Sequence, residues 1–214
     1  MTATLVAMSV TLDSVGVESF DRGPVAVLVP VKAFAQAKIR LAPALDAAER
    51  WRLARTMAER VLAAAHPLPV AVVCDDPEVA DWASQRGALV ISEPGRGLNG
   101  AVEAGVDALA RAGFDRVIVA HADLPLATEL SWVSSWTGVT LVPDRHDDGT
   151  NVACVPTRSG FKFSYGPGSF GRHCIEAERV HLALRVVREP ALGWDVDLPA
   201  DLADLPGPPV VTRR

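Results

Sequence analysis

The chain has 214 residues, 49% of them apolar and 22% charged, with a net charge of −5. That length holds one large domain or two small ones around a substantial core. The acidic balance, with no Lys/Arg block, argues against nucleic acid or an anionic membrane as a main partner. No apolar run reaches transmembrane length, and no basic start precedes Leu5, so a secretory signal is not expected. Cys74, Cys154 and Cys174 are an odd, unpatterned set. They read as reduced thiols of a cytoplasmic protein.

Residues 1–23 precede the first well-defined element, although Leu5 to Leu12 could add an edge strand. Val25 to Val31 is a continuous apolar run, the pattern of a strand buried on both faces. The loop after it carries Lys32, Lys38 and Arg40. Asp46 with Glu49 predicts a capping box, and Trp51, Ala54, Ala58, Val61 and Leu62 keep helical spacing to Ala65. Val70 to Cys74 predicts a second strand, and Asp76 with Pro77 starts a helix closed by Gly87. Ala88 to Ile91 is a third strand. The glycine-rich segment Glu93 to Gly100 then turns into a helix ending at Gly113. Val117 to Ala120 is a fourth strand, followed by His121-Ala-Asp123-Leu-Pro125. A short helix is expected around Thr128 to Ser135, then strands at Val139 to Val142 and Leu182 to Arg188. A closing helix, Ala200 to Leu205, precedes a tail from Pro206 onward. We assign a tail or edge strand at 1–23, one domain at 24–206 and a tail at 207–214.

Strands alternating with helices predict an α/β fold, a mainly parallel sheet with helices on both faces. Ligands bind such sheets at the carboxyl ends of the strands. The polar residues expected there are Lys32, Lys38, Arg40, Arg96, Asn99, His121, Asp123, Thr150, Asp195 and Asp197. Within this set, Asp144 to His173 stands out. Two loops, Asp147 to Asn151 and Tyr165 to Ser169, bracket an apolar run from Val152 to Pro156. Gly166 and Gly168 flank Pro167 in a turn with few Cβ atoms, and Ser169 stands at the expected N-cap of a helix from Phe170 to Glu178. A glycine turn running into a helix start suits an anion, because unpaired N–H groups and the helix dipole point the same way. Two ordinary turns would produce the same pattern.

Asp123 and Asp197, at the mouths of separate strands, suit Mg²⁺, a hard ion that takes oxygen ligands. Each also reads singly as a helix cap, and Asp195 rivals Asp197. Lys32, Lys38 and Arg40 are expected to act as the catalytic cations that neutralise a polyphosphate; a solvated charged loop is the plainer reading. Arg96 and Asn99 are the candidate nucleotide contacts. The five histidines share no zinc spacing. No GxSxG, Walker loop or GxGxxG follows the first strand, which removes the hydrolase, P-loop and dinucleotide readings.

Several segments occur together in one order: Pro30-Val-Lys32 with Ala37-Lys38-Ile-Arg40, Gly97-Leu-Asn99, Ala122-Asp123-Leu-Pro125 and Gly149-Thr150-Asn151. Phe163-Ser-Tyr-Gly166-Pro-Gly-Ser169 and Asp195-Val-Asp197-Leu-Pro199 follow. Together they resemble the CofC/FbiD guanylyltransferases of deazaflavin coenzyme F-420 biosynthesis, over roughly Val25 to Leu205. The resemblance implies a GT-A-like, MobA-type nucleotidyltransferase fold. It implies transfer of GMP from GTP to phosphoenolpyruvate, 2-phospho-L-lactate or 3-phosphoglycerate, with release of pyrophosphate. It also implies Asp123 and Asp197 as Mg²⁺ ligands and Thr150, Gly166 and Ser169 as the acceptor-phosphate site, with Lys32 reaching the acceptor. The next enzyme of the pathway is a candidate partner. Leu198 departs from the Thr or Ser often found there. Two alternatives stay open: a nucleotidyltransferase of the same fold acting on a pterin or sugar phosphate, and a non-catalytic phosphate-ligand sensor.

Overall fold

The computed structural model describes residues 4–5, 24–93 and 95–203. Eight strands form one sheet in the order β1-β4-β3-β2-β5-β7-β6-β8. They are β1 (Thr4–Leu5), β2 (Val25–Pro30), β3 (Val70–Cys74), β4 (Leu89–Ser92), β5 (Arg116–Ala120), β6 (Val139–Pro143), β7 (Thr150–Pro156) and β8 (Leu184–Val186). The helices are α1 (Ala47–Ala64), α2 (Pro77–Ser84), α3 (Gly97–Arg111), α4 (Ser169–Arg179), α5 (Pro190–Gly193) and α6 (Pro199–Ala203). The rest of the edge strand expected at Leu5 to Leu12, the expected extension of the closing helix past 203 and the expected tail at 207–214 lie outside the described residues.

The continuous apolar runs bury both faces of the sheet. Val27, Val29, Val72, Ile118, Val152 and Cys154 meet Ala54, Ala58 and Val61 of α1 with Val79, Trp82 and Ala83 of α2. Their sequence neighbours Ala26, Leu28, Ala71, Val73, Val117, Val119 and Val155 face the other way, against Val102, Val106 and Leu109 of α3 and Ala177 of α4. This is the two-residue alternation of an extended chain. Fully burying each such Val or Leu contributes about 1.5–3 kcal/mol. The α1 start is the expected capping box: Asp46 accepts from Glu49 N–H at 2.7 Å, and Glu49 accepts from Asp46 N–H at 2.9 Å. Among the described residues no helix is long and apolar enough to cross a membrane.

Three expectations change in detail. Strand β7 runs antiparallel to both β5 and β6, because loop 144–149 is too short for a parallel crossover. Thr150 therefore begins a strand rather than following one. Antiparallel pairing still delivers it to the site, since the start of β7 lies beside the carboxyl end of β5: Ala120 pairs Val152, and His121 N–H donates to Asn151 O at 3.0 Å. The helix expected around Thr128 to Ser135 is only a 3₁₀ turn at Ser131–Ser135. Finally, Gly168 is the N-cap of α4, with φ 71°, and Ser169 is the first helical residue. Gly166, at φ 116°, likewise takes a left-handed conformation that suits glycine.

Candidate active site

A cleft of about 580 Å³ opens at the carboxyl ends of β2 and β5, lined by Lys32, Lys38, Arg40, His121, Asp123 and Asp197 among others. Lys38 is its pivot. It adopts φ 55°, ψ 35°, a left-handed conformation that costs a non-glycine residue roughly 1–2 kcal/mol. In that conformation its ammonium donates to Asp123 Oδ2 at 2.5 Å and to Asp197 Oδ1 at 2.8 Å. The Lys38 side chain is 10% exposed and that of Asp123 22%, so Lys38 leaves the solvated loop of the plainer reading, which holds for Lys32 and Arg40. Burial opposes the Lys38 charge, but attraction to Asp123 and Asp197, with both hydrogen bonds, raises it to about 12. Burial would raise Asp123, yet the Lys38 charge, then His121, hold it below the usual carboxylate range.

Asp123 Oδ1 is buried with no partner among the described residues. Such an oxygen has unused acceptor capacity and suits a cation. No three His, Cys, Asp or Glu side chains among the described residues converge into a metal cage, which is compatible with an ion that takes other oxygen ligands from substrate. No helix follows Asp123 directly, so its cap reading falls. Lys38 pairs with Asp197, not with Asp195. Burial and the charges of Asp123 and Asp197 push Asp195 up to about 6, against a smaller downward pull from Asn151. Arg40 lies 3.8 Å from Asp197 and is 74% exposed; Lys32 is exposed on the cleft wall.

The Asp195–Asp197 segment is braced from behind. Asp201, 5% exposed, accepts from the N–H groups of Asp197 at 2.7 Å and Leu198 at 2.6 Å. Its other oxygen takes Arg145. Arg145 also donates to Asp195 O at 3.2 Å and lies over the Trp194 ring at 4.5 Å.

Beside β5 lies a second constellation, of hydroxyls and a glycine turn framed by the Asp144 carboxylate and the Arg172 guanidinium. Asp144 accepts from the N–H groups of His146, Asp148 and Gly149 and so shapes the turn that delivers Thr150. Thr150 N–H donates to Ser169 Oγ at 3.0 Å. Arg172 donates to Ser164 O at 2.8 Å, Ser164 Oγ at 2.8 Å and Pro167 O at 2.6 Å, holding the Gly166–Gly168 turn. The structure thus brings Thr150 and Ser169 together next to Gly166. Asn99 is committed to the same loop, because its Oδ1 accepts from Tyr165 N–H at 2.7 Å. Arg96 pairs with Glu93 at 3.3 Å; both Arg96 and Asn99 belong to the opening of α3 rather than to a separate turn.

Sequence reading missed Asp201, Arg145, Arg172 and His173. His173 stands four residues after Ser169, a spacing that shares a face of α4, and Asp201 is the third residue of α6, from which an acid reaches back to N–H groups ahead of the helix. Arg145 carries no such signal.

The sequence model described as "Guanylyl transferase CofC like" matches residues 25–206. A phosphoenolpyruvate guanylyltransferase of Sphaerobacter thermophilus is 38% identical over 84% of this chain and 91% of its own. One of Roseiflexus castenholzii is 38% identical over 82% and 84%. Among solved structures, a protein of Desulfovibrio desulfuricans G20 assigned as a nucleotide-diphospho-sugar transferase superposes with a TM-score of 0.63 at 14% identity, over 81% of this chain and 82% of that one. A CMP:2-keto-3-deoxy-manno-octonic acid synthetase superposes at 0.53 and 15% identity, over 84% and 95%. The fold is that of the GT-A-like nucleotidyltransferases, and the chain belongs to the CofC-like guanylyltransferase family.

Proposed function

We propose that this protein transfers GMP from GTP to the phosphate of phosphoenolpyruvate, releasing pyrophosphate, as a step of coenzyme F-420 biosynthesis. The observation that carries the reading is the pairing of two different anion-handling sites along neighbouring strands. One is charged, around Lys38, Asp123 and Asp197; the other is built of hydroxyls and a glycine turn, around Thr150, Gly166 and Ser169. A reaction between two phosphates needs both. The phosphoenolpyruvate relatives favour that acid as acceptor.

In this reading an acceptor phosphate oxygen attacks the α-phosphorus of GTP. The new P–O bond forms as the bond to the pyrophosphate oxygen breaks, and the electron pair leaves with pyrophosphate. The acceptor is already ionised at neutral pH, so no protein nucleophile or base is needed. Lys32, Lys38 and Arg40 lower the repulsion among the phosphates. Asp123 and Asp197 would hold Mg²⁺, which when bound supplies further neutralisation of phosphate oxygens. Thr150, Gly166 and Ser169 orient the acceptor, and Arg96 with the opening of α3 serves the nucleotide.

The test is pyrophosphate release with GTP, ATP, CTP or UTP against phosphoenolpyruvate, 2-phospho-L-lactate and 3-phosphoglycerate in parallel. Release should need Mg²⁺, prefer GTP and be fastest with phosphoenolpyruvate. Equal turnover with ATP would remove the guanylyl assignment. No release with any pair would favour a phosphate-ligand sensor.

A further inference from the structure

Behind the glycine turn, the hydrogen bonds have a direction that the reading above leaves unused. Ser164 N–H donates to His173 Nε2 at 2.9 Å. A backbone N–H can only donate, so Nε2 carries the lone pair and, in a neutral ring, Nδ1 carries the hydrogen. Nδ1 lies 3.0 Å from Thr150 Oγ1, and the ring is therefore the donor to the threonine. Ser169 Oγ accepts from Thr150 N–H in the same way. Each hydroxyl has committed a lone pair to a fixed donor. Neither hydroxyl hydrogen has an acceptor among the described residues. Thr150 is 1% and Ser169 2% exposed, and an unused buried donor is costly unless a ligand takes it.

The ring has little freedom to reverse this arrangement. His173 is fully buried among Phe161, Phe163 and Tyr165, with centroids 5.7, 6.1 and 5.0 Å away. Burial first, then the charges of Arg172 and His121, push it down to about 4, against a smaller upward pull from Glu176. The ring is neutral at physiological pH and keeps its single Nδ1 hydrogen for Thr150.

We infer that His173 is a positioning residue for the acceptor: by occupying the Thr150 hydroxyl oxygen it presents the hydroxyl hydrogen as a donor to a phosphomonoester. The inference rests on the assignment of the acceptor phosphate to Thr150, Gly166 and Ser169. It adds a physical reason why that pocket takes one compact phosphate. Cations attract any phosphate, whereas neutral donors fixed in direction reward only an anion whose oxygens meet them.

The experiment compares His173→Phe, His173→Asn and Thr150→Val in the full chain, reading the KM of phosphoenolpyruvate and of GTP from pyrophosphate release. His173→Phe should raise the acceptor KM about tenfold, as expected for a weakened hydrogen bond to a charged group, with the GTP KM unchanged. His173→Asn, whose amide can donate near the Nδ1 position, should recover most of the loss. Should Thr150→Val weaken the acceptor while His173→Phe does not, the role of His173 is overturned and the pocket stands. Should Thr150→Val spare the acceptor, the pocket assignment itself falls. A second measurement does not depend on the variants folding. The ¹⁵N shifts of the wild-type ring should report the Nδ1–H tautomer, and the Nε2–H form would overturn the inference.

Discussion

At one end of the site, Lys38 reaches Asp123 and Asp197 across 85 and 159 residues of chain. At the other, Thr150 meets Ser169 and His173 across only 19 and 23. The first end is built on paired charges, part-buried and left with a spare carboxylate oxygen; the second presents neutral hydroxyls beside the Arg172 guanidinium and is left with spare hydroxyl hydrogens. Each end lacks what the other phosphate chemistry supplies. Charges separated in sequence give strong, weakly directional attraction suited to a polyphosphate and an ion. Hydrogen bonds closed within one loop–strand–loop unit give direction at little electrostatic cost.

The largest loss is expected at the charged end. Asp123→Asn should keep the fold and lower kcat on the order of a thousandfold, as when an electrostatic contact at a charge-developing centre is lost. Near-normal pyrophosphate release would mean that Asp123 only anchors Lys38.

A milder intervention acts one step removed. Asp201→Asn weakens the brace that holds the Asp197 and Leu198 N–H groups and Arg145. The Mg²⁺ concentration for half-maximal rate should rise about 10–100-fold, the range for groups that orient ligands, while the acceptor KM holds. Direct Mn²⁺ titration by electron paramagnetic resonance provides a readout independent of turnover. An unchanged metal affinity would reduce Asp201 to a helix cap.

At the hydroxyl end, Ser169→Ala removes a hydroxyl donor and leaves Thr150 N–H unpaired. We expect the acceptor KM to rise about tenfold with the GTP KM unaffected, and stability to fall by about 1–3 kcal/mol. If the variant weakened GTP and spared the acceptor, the two ends would have to be exchanged.

The effect least tied to turnover concerns pH. His173 has its folded-state value lowered to about 4 from 6.5, so above pH 6.5 both folded and unfolded chains hold it neutral and its contribution is intact. As pH falls from 6.5 towards 4, the unfolded chain takes up a proton that the folded one refuses, and stability declines by up to about 3 kcal/mol from this group. His173→Asn should flatten that part of the curve in urea unfolding from pH 7 to 4. An identical slope in both proteins would show that other groups set it.

How much of this could be read from the chain alone follows the same division. The apolar runs at Val25 to Val31 and Val70 to Cys74, the Asp46–Glu49 box and the Asp76-Pro77 start are local signals, and local signals survive folding because they depend on neighbours a few bonds away. The glycine turn and Ser169 were legible for that reason too, although Gly168 took the cap and freed the Ser169 hydroxyl for Thr150. Asp123 and Asp197 were legible as residues at strand ends, but not as a pair joined through one lysine. The reversal of β7 was not legible as such, nor was the commitment of Asn99 to Tyr165. Local pattern in the chain was enough for most strands, for the capped helices and for the polar residues near their ends, but not for the 3₁₀ turn at Ser131–Ser135 or for α5. Which of those residues meet is set by strand order and direction, which bring together groups separated by 85 or 159 residues, a distance over which no local preference acts.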